Sequence, residues 1–198
     1  MKQEIVELLL QALETEMGGV QVYQTALQCA VNKDLKEEWE KYLEQTTHHV
    51  EVVQELCGAL GIDAEKETPG REVVRHIGES LVKAIEMAKK AGDPKAAEIV
   101  ACECVVLAET KDHLNWELIS QLGKESKTKD ANAMEQAADE VEDQEDEHLY
   151  HTRGWARELW ISSFGMKAVL PPPEEQKKVK TAIGAARAQQ ARDSMRKG

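Results

Sequence analysis

Aromatic residues are scarce in this chain, at 4% with a single Phe, and a β-sandwich built on aromatic and β-branched side chains is therefore excluded as the expectation. Proline occurs only at Pro69, Pro94 and Pro171 to Pro173, which leaves long stretches without a backbone breaker. The four cysteines (Cys29, Cys57, Cys102, Cys104) form no CxxC pair and fall within helical patterns. They read as buried free thiols, not as a disulfide framework or a zinc site. No apolar run approaches the roughly 18 residues of a membrane span, and Ile5 to Leu10 lacks the length and flanks of a signal peptide. A cytoplasmic protein without a membrane segment is expected. Basic residues are outnumbered 25 to 37, giving a net charge of -12, with -16 on residues 1–170 and +4 on 171–198. An acidic body repels phosphate backbones, which argues against nucleic acid as the main partner.

What the sequence has is length and helical period. Its 198 residues can bury a sizeable core without staples. Periodic segments run from about Lys2 to Val31, Asp34 to Leu60, Arg71 to Ala91, Pro94 to Leu122 and Ala131 to Ser163. The punctuation between them is Asn32, Gly61, Thr68-Pro69-Gly70, Gly92-Asp93-Pro94 and a polar connection from Gly123 to Asp130. Four segments are long enough to span roughly 40 Å at about 1.5 Å per residue. The shorter third one can carry the chain back from one end to the other. The predicted fold is all-α: a four-helix bundle over residues 1–165 with a helical crossover between bundle helices 2 and 3. A Pro-rich hinge and basic C-terminal tail follow over 166–198.

The alternating three- and four-residue spacing of a core stripe picks out polar residues in the middle of each long segment. The first reads Ile5, Leu9, Ala12, Glu16, Gly19, Tyr23, Ala26, Ala30, and the second Leu35, Trp39, Tyr42, Thr46, His49, Val53, Leu56, Leu60. The fourth reads Cys102, Val105, Glu109, Asp112, Trp116, Ile119, and the last Ala131, Met134, Ala138, Val141, Glu145, His148, Thr152, Trp155, Leu159. Glu16, His49, Glu109, Asp112, Glu145 and His148 are thus placed at one level of an apolar interior. Ionised carboxylates there cost several kcal/mol each unless paired or coordinated, a conflict that a pair of divalent cations removes. Four carboxylates with two imidazoles suit iron or manganese better than structural zinc.

These residues resemble the ferritin-like superfamily, and rubrerythrins and bacterioferritins in particular, over residues 1–165. The marks are Glu16 with Tyr23 seven residues on, His49 followed by Leu60-Gly61, the single carboxylate Glu109 with Asp112 beyond it, and the Glu145-Asp146-Glu147-His148 pair. The resemblance implies a two-ion iron or manganese centre that handles oxygen, peroxide or iron, as a peroxidase, ferroxidase or oxygenase, in a chain able to form a homodimer. Thr46 stands where the family has a metal-bridging Glu. Asp112 restoring the carboxylate count, a single-metal or weak site, and a metal-poor bundle serving as a stress-associated scaffold all remain open.

Other polar residues have plainer readings. Glu44, His48, Glu51 and Glu55 form a solvated row, and the six acids between Glu140 and Glu147 lie mostly on an outer face. His113 and His151 flank the seam as outer hydrogen-bonding partners or as packing, and His76 is structural or exposed. Trp116 and Trp155 pack the core. The basic tail is expected to dock on its own bundle or on a neighbouring subunit.

Overall fold

The structure, a computed structural model, describes residues 2–125 and 127–195, so Ser126 of the predicted connection and residues 196–198 of the basic tail lie outside the described residues. Among the described residues all regular structure is helical: α1 (Gln3–Ala26), α2 (Lys33–Ala59), α3 (Pro69–Ala91), α4 (Pro94–Lys124), α5 (Lys129–Ser163), α6 (Pro173–Gln176) and α7 (Ala182–Met195). Among the described residues no helix is long and apolar enough to cross a membrane.

Local chemistry sets most of the boundaries. The Asn32 carboxamide accepts from the N–H groups of Asp34 and Leu35 and starts α2, while Asp93 does the same for Lys95 and Ala96 ahead of Pro94. Thr68 and Thr128 cap α3 and α5 in the same way. Gly92, with φ of 89°, adopts the left-handed turn that ends α3. The predicted first segment is cut short: α1 stops at Ala26, and the N–H groups of Val31 and Asn32 donate to Oε1 of Glu98 in α4 at 2.7 and 2.6 Å. A carboxylate on another helix captures the donors that a continued helix would have used, a tertiary effect that periodicity does not carry.

Cross-helix contacts give the direction of each element. Thr68 bonds Glu7, Arg71 bonds Glu14 and Lys89 bonds Gln28, so α3 runs parallel to α1 along its length. Asn115 bonds Thr15 and Trp116 bonds Glu16, while Glu98 lies against Val31, so α4 is antiparallel to α1 and α5 returns beside α4. α1 packs on α2 and α4, α5 packs on α4 and α2, and α3 covers the outside of α1 and α4. The result is an all-helical bundle. The tail lies along α5, fastened where Arg192 bonds both carboxylate oxygens of Glu158 and Arg157 forks onto Glu174.

The core falls into two apolar halves. One is built around Tyr23, Trp39, Tyr42, Val105 and Trp155, the other around Leu9, Leu13, Val53, Trp116 and Met134. The predicted stripes of α2 from Leu35 to Leu56, of α4 and of α5 are buried at every position, and their polar centres separate the two halves. The four cysteines are free and buried.

α4 and α5 come closest near their joining turn, where a Cβ on Gly123 would meet the backbone N and Cα of Glu135 at 2.5 and 2.7 Å. Because that obstacle is backbone, Gly123→Ala is expected to cost about 1–3 kcal/mol and lower Tm by several degrees. Gly58→Ala, with nothing within 4 Å of its Cβ, should leave Tm unchanged or slightly raised in the same calorimetric scan.

Candidate metal centre

Six side chains fill the layer between the two apolar halves. Glu16 comes from the middle of α1, His49 from α2, Glu109 and Asp112 from adjacent turns of α4, and Glu145 and His148 from adjacent turns of α5. None is more than 3% exposed. They form two overlapping groups, Glu16–His49–Glu145 and Glu109–Glu145–His148, with the ligating atoms of each within 4.8 Å of one another, and either group could hold a metal ion. Glu145 belongs to both. Its Oε1 lies 2.9 Å from Nδ1 of His49 and 3.5 Å from Nδ1 of His148. Glu16 approaches His49 at 3.7 Å, and Glu109 approaches His148 at 3.6 Å.

These groups face one another without hydrogen-bonding one another well. Both oxygens of Glu145, Oε2 of Glu16 and Glu109, Oδ1 of Asp112 and Nδ1 of both histidines are buried and have no properly aligned hydrogen-bond partner. So many inward-facing orphan donor atoms in one place are what a cation would satisfy. The histidines are oriented from behind: Nε2 of His49 lies 3.0 Å from Oε1 of Gln144, and Nε2 of His148 lies 3.0 Å from Oε1 of Gln45. A proton on each Nε2 donated to the amide oxygen leaves the Nδ1 lone pair free to face the centre. The Trp116 indole donates to Oε1 of Glu16 at 2.7 Å and fixes that carboxylate too.

Without an ion, protons do the neutralising. Burial, with the charge of Glu145 behind it, pushes Glu16 well above the usual carboxylate range. Asp112 is raised by burial, then by the charges of Glu16, Glu145 and Glu109, and Glu109 by burial and Glu145. Glu145 goes the other way: burial opposes its ionisation, but His148 and His49 overcome that and hold it at about 2. Burial likewise opposes charge on the two imidazoles, yet Glu145 raises His49, and Glu109 and Glu145 raise His148. Without an ion, burial and mutual repulsion thus favour the neutral forms of Glu16, Asp112 and Glu109, while the two imidazoles favour the charged form of Glu145.

All six sequence-predicted residues sit in this layer, though their roles differ. Asp112 stands outside both three-residue groups, and after burial it is the charge of Glu16 that raises it most. Thr46 is 1% exposed, and its Cγ2 would lie 3.2 Å from a Cβ on Gly19, so its methyl fills the space beside α1. Burial, and then the charge of Glu109, drives the phenol pKa of Tyr23 well up. Neither flanking histidine bonds to the six residues: His113 pairs with Asp146 at 2.8 Å, and His151 with Tyr42 and the Val179 carbonyl. His48 bonds Glu51 and Glu140 on the outside, as the solvated-row reading predicts.

Gln45 and Gln144 were not legible as partners of the site. Each stands four residues before a histidine of its own helix but serves the histidine of the opposite helix. Tyr42 is a further addition: its ring lies 4.2 Å from that of His148, and its hydroxyl donates to Glu38 at 2.7 Å. A scan against protein-family models, a search of curated proteins and a search of solved structures each return no match for this chain.

An ion entering this layer must displace the protons on the imidazoles and carboxylic acids. Calorimetric titration of Mn(II) in buffers of different ionisation enthalpy should therefore show net proton release. Apparent affinity should rise from about pH 6 to about pH 8 as the competing protons are lost. Binding heat independent of the buffer would contradict this protonation scheme.

Proposed function

We propose that the chain is a ferritin-like four-helix bundle whose central layer holds two ions of iron or manganese and works on oxygen, peroxide or iron. The observation that carries the reading is Glu145, one buried carboxylate common to two ligand groups that each end in a histidine. In this reading Glu145 supplies the bridging carboxylate that Thr46 cannot. Glu16 and His49 hold one ion, Glu109 and His148 the other, and Asp112 stands in reserve beside Glu16. The oxygen-rich donor set with one imidazole per ion favours iron or manganese over zinc.

Once bound, redox-active ions supply one- and two-electron exchange with a small oxidant. The protein's own residues do the rest. Trp116 and the Gln45 and Gln144 amides keep the ligands from rotating, and the two apolar halves of the core exclude bulk water above and below the layer. The Glu16–Asp112 pair can hold a proton beside the centre, and Tyr23 can hold another against Glu109.

Thr46 favours a second reading, in which the bundle has lost its metals and acts as a scaffold whose polar layer is neutralised by protons alone. Metal content of chelator-free protein and thermal unfolding with and without Fe(II) or Mn(II) separate the two. The metal reading predicts up to two ions per chain and a Tm that rises with ion concentration, because a ligand of the native state stabilises by mass action. It also predicts that Glu145→Gln loses both ions, whereas Glu16→Gln keeps one. Protein devoid of metal, with no Tm response to either ion, would leave the scaffold reading standing.

A further inference from the structure

Away from the central layer, at the end of the bundle where α1 stops and α4 begins, lies a cavity of about 730 Å³. Its volume is within the range of small-molecule sites. The α1–α2 turn, the first two turns of α4 and the last turns of α5 enclose it, and Val31, Ile99, Leu159, Trp160 and Leu170 supply apolar wall. Trp160 is held in place by its indole N–H on Glu103 at 2.8 Å and by stacking on Phe164, with ring centroids 5.6 Å apart.

Glu98 also lines this cavity, and it is only 4% exposed. Its Oε1 already accepts two backbone N–H groups, from Val31 and Asn32. No Lys, Arg or His among the described residues pairs with it, and Oε2 receives no hydrogen bond from the protein. Lys95 lines the same cavity from the exposed rim without reaching ion-pair distance of Glu98. A carboxylate buried this far normally acquires a cationic or strongly donating partner. The pocket thus combines apolar walls with a largely buried carboxylate whose Oε1 is held by two backbone N–H groups and whose Oε2 accepts no hydrogen bond from the protein. We propose that this cavity is a binding site for a small organic amine, its apolar body against Trp160, Ile99 and Leu159 and its protonated nitrogen on Glu98. An overall charge of -12 draws such a cation toward the protein. The proposal is independent of any metal in the central layer, because it uses none of the six residues there.

The test is a matched pair of probes titrated calorimetrically into the full chain: tryptamine, and indole-3-acetate with a similar ring body and the opposite charge. The proposal predicts one saturable tryptamine site, bound at least tenfold more tightly than indole-3-acetate. In Glu98→Gln the amide oxygen can still accept from Val31 and Asn32, so the turn is kept while the charge is removed, and the preference for the amine should vanish. Ser163→Trp, at an exposed position on the cavity wall, should fill the space and remove binding of both probes. Circular dichroism of each variant checks that the helices are intact. Absence of saturable tryptamine binding would overturn the proposal. So would an amine preference that survives Glu98→Gln, or tryptamine binding that survives Ser163→Trp.

Discussion

Four carboxyl groups and two imidazoles buried together in one layer cannot all carry the charges they would have in solution. Coulomb repulsion among buried acids, set against the attraction of Glu145 for His49 and His148, decides what the centre of this molecule can be. Protons ease the conflict one way, since burial and mutual repulsion favour the neutral forms of Glu16 and Asp112. Cations resolve it another way, and the orphaned donor atoms that face inward are arranged for the second solution. A layer kept only for packing would be more stable if it were apolar, since buried ion pairs are seldom net stabilising against hydrophobic residues of similar size.

The rest of the architecture serves that layer. Two apolar halves hold the helices in register on either side of it, so that residues from α1, α2, α4 and α5 arrive at the same height. The antiparallel match of Glu16 to Trp116 and the crossing of Gln45 and Gln144 to opposite histidines fix the rotation of each helix. Behind His148, Tyr42 leads to Glu38, His151 and the tail, where Glu175 is raised to about 8 by burial and by its neighbour Glu38. The tail docks on the bundle through Lys180 with Asp143 and Arg192 with Glu158, and through Arg157 of α5 with the tail's Glu174.

Much of this was readable from spacing alone, for a physical reason. A polar residue in the middle of an apolar stripe has nowhere to go but inward, so the 3.6-residue period of α4 and α5 fixed the inward positions of Glu109, Asp112, Glu145 and His148. Cap and breaker residues placed the start of α4 at Pro94 and those of α2, α3 and α5 within one or two residues. What spacing could not carry was anything decided between helices. The early end of α1 depends on Glu98, more than sixty residues away. The swap of Gln45 and Gln144 depends on the relative height of α2 and α5, and the sharing of Glu145 on distances of a few ångströms between four elements. Asp112, which sequence placed beside Glu109 as an equal ligand candidate, turns instead toward Glu16.

The central claim is that Glu145 lies between two cations, and diffraction can address it without reference to activity. Crystals grown in Mn(II) or anaerobic Fe(II), measured at the metal's absorption edge, should show two anomalous peaks on either side of the Glu145 carboxylate, one beside His49 and one beside His148. An anomalous map without density in that layer, from crystals soaked to saturation with either ion, would contradict the account.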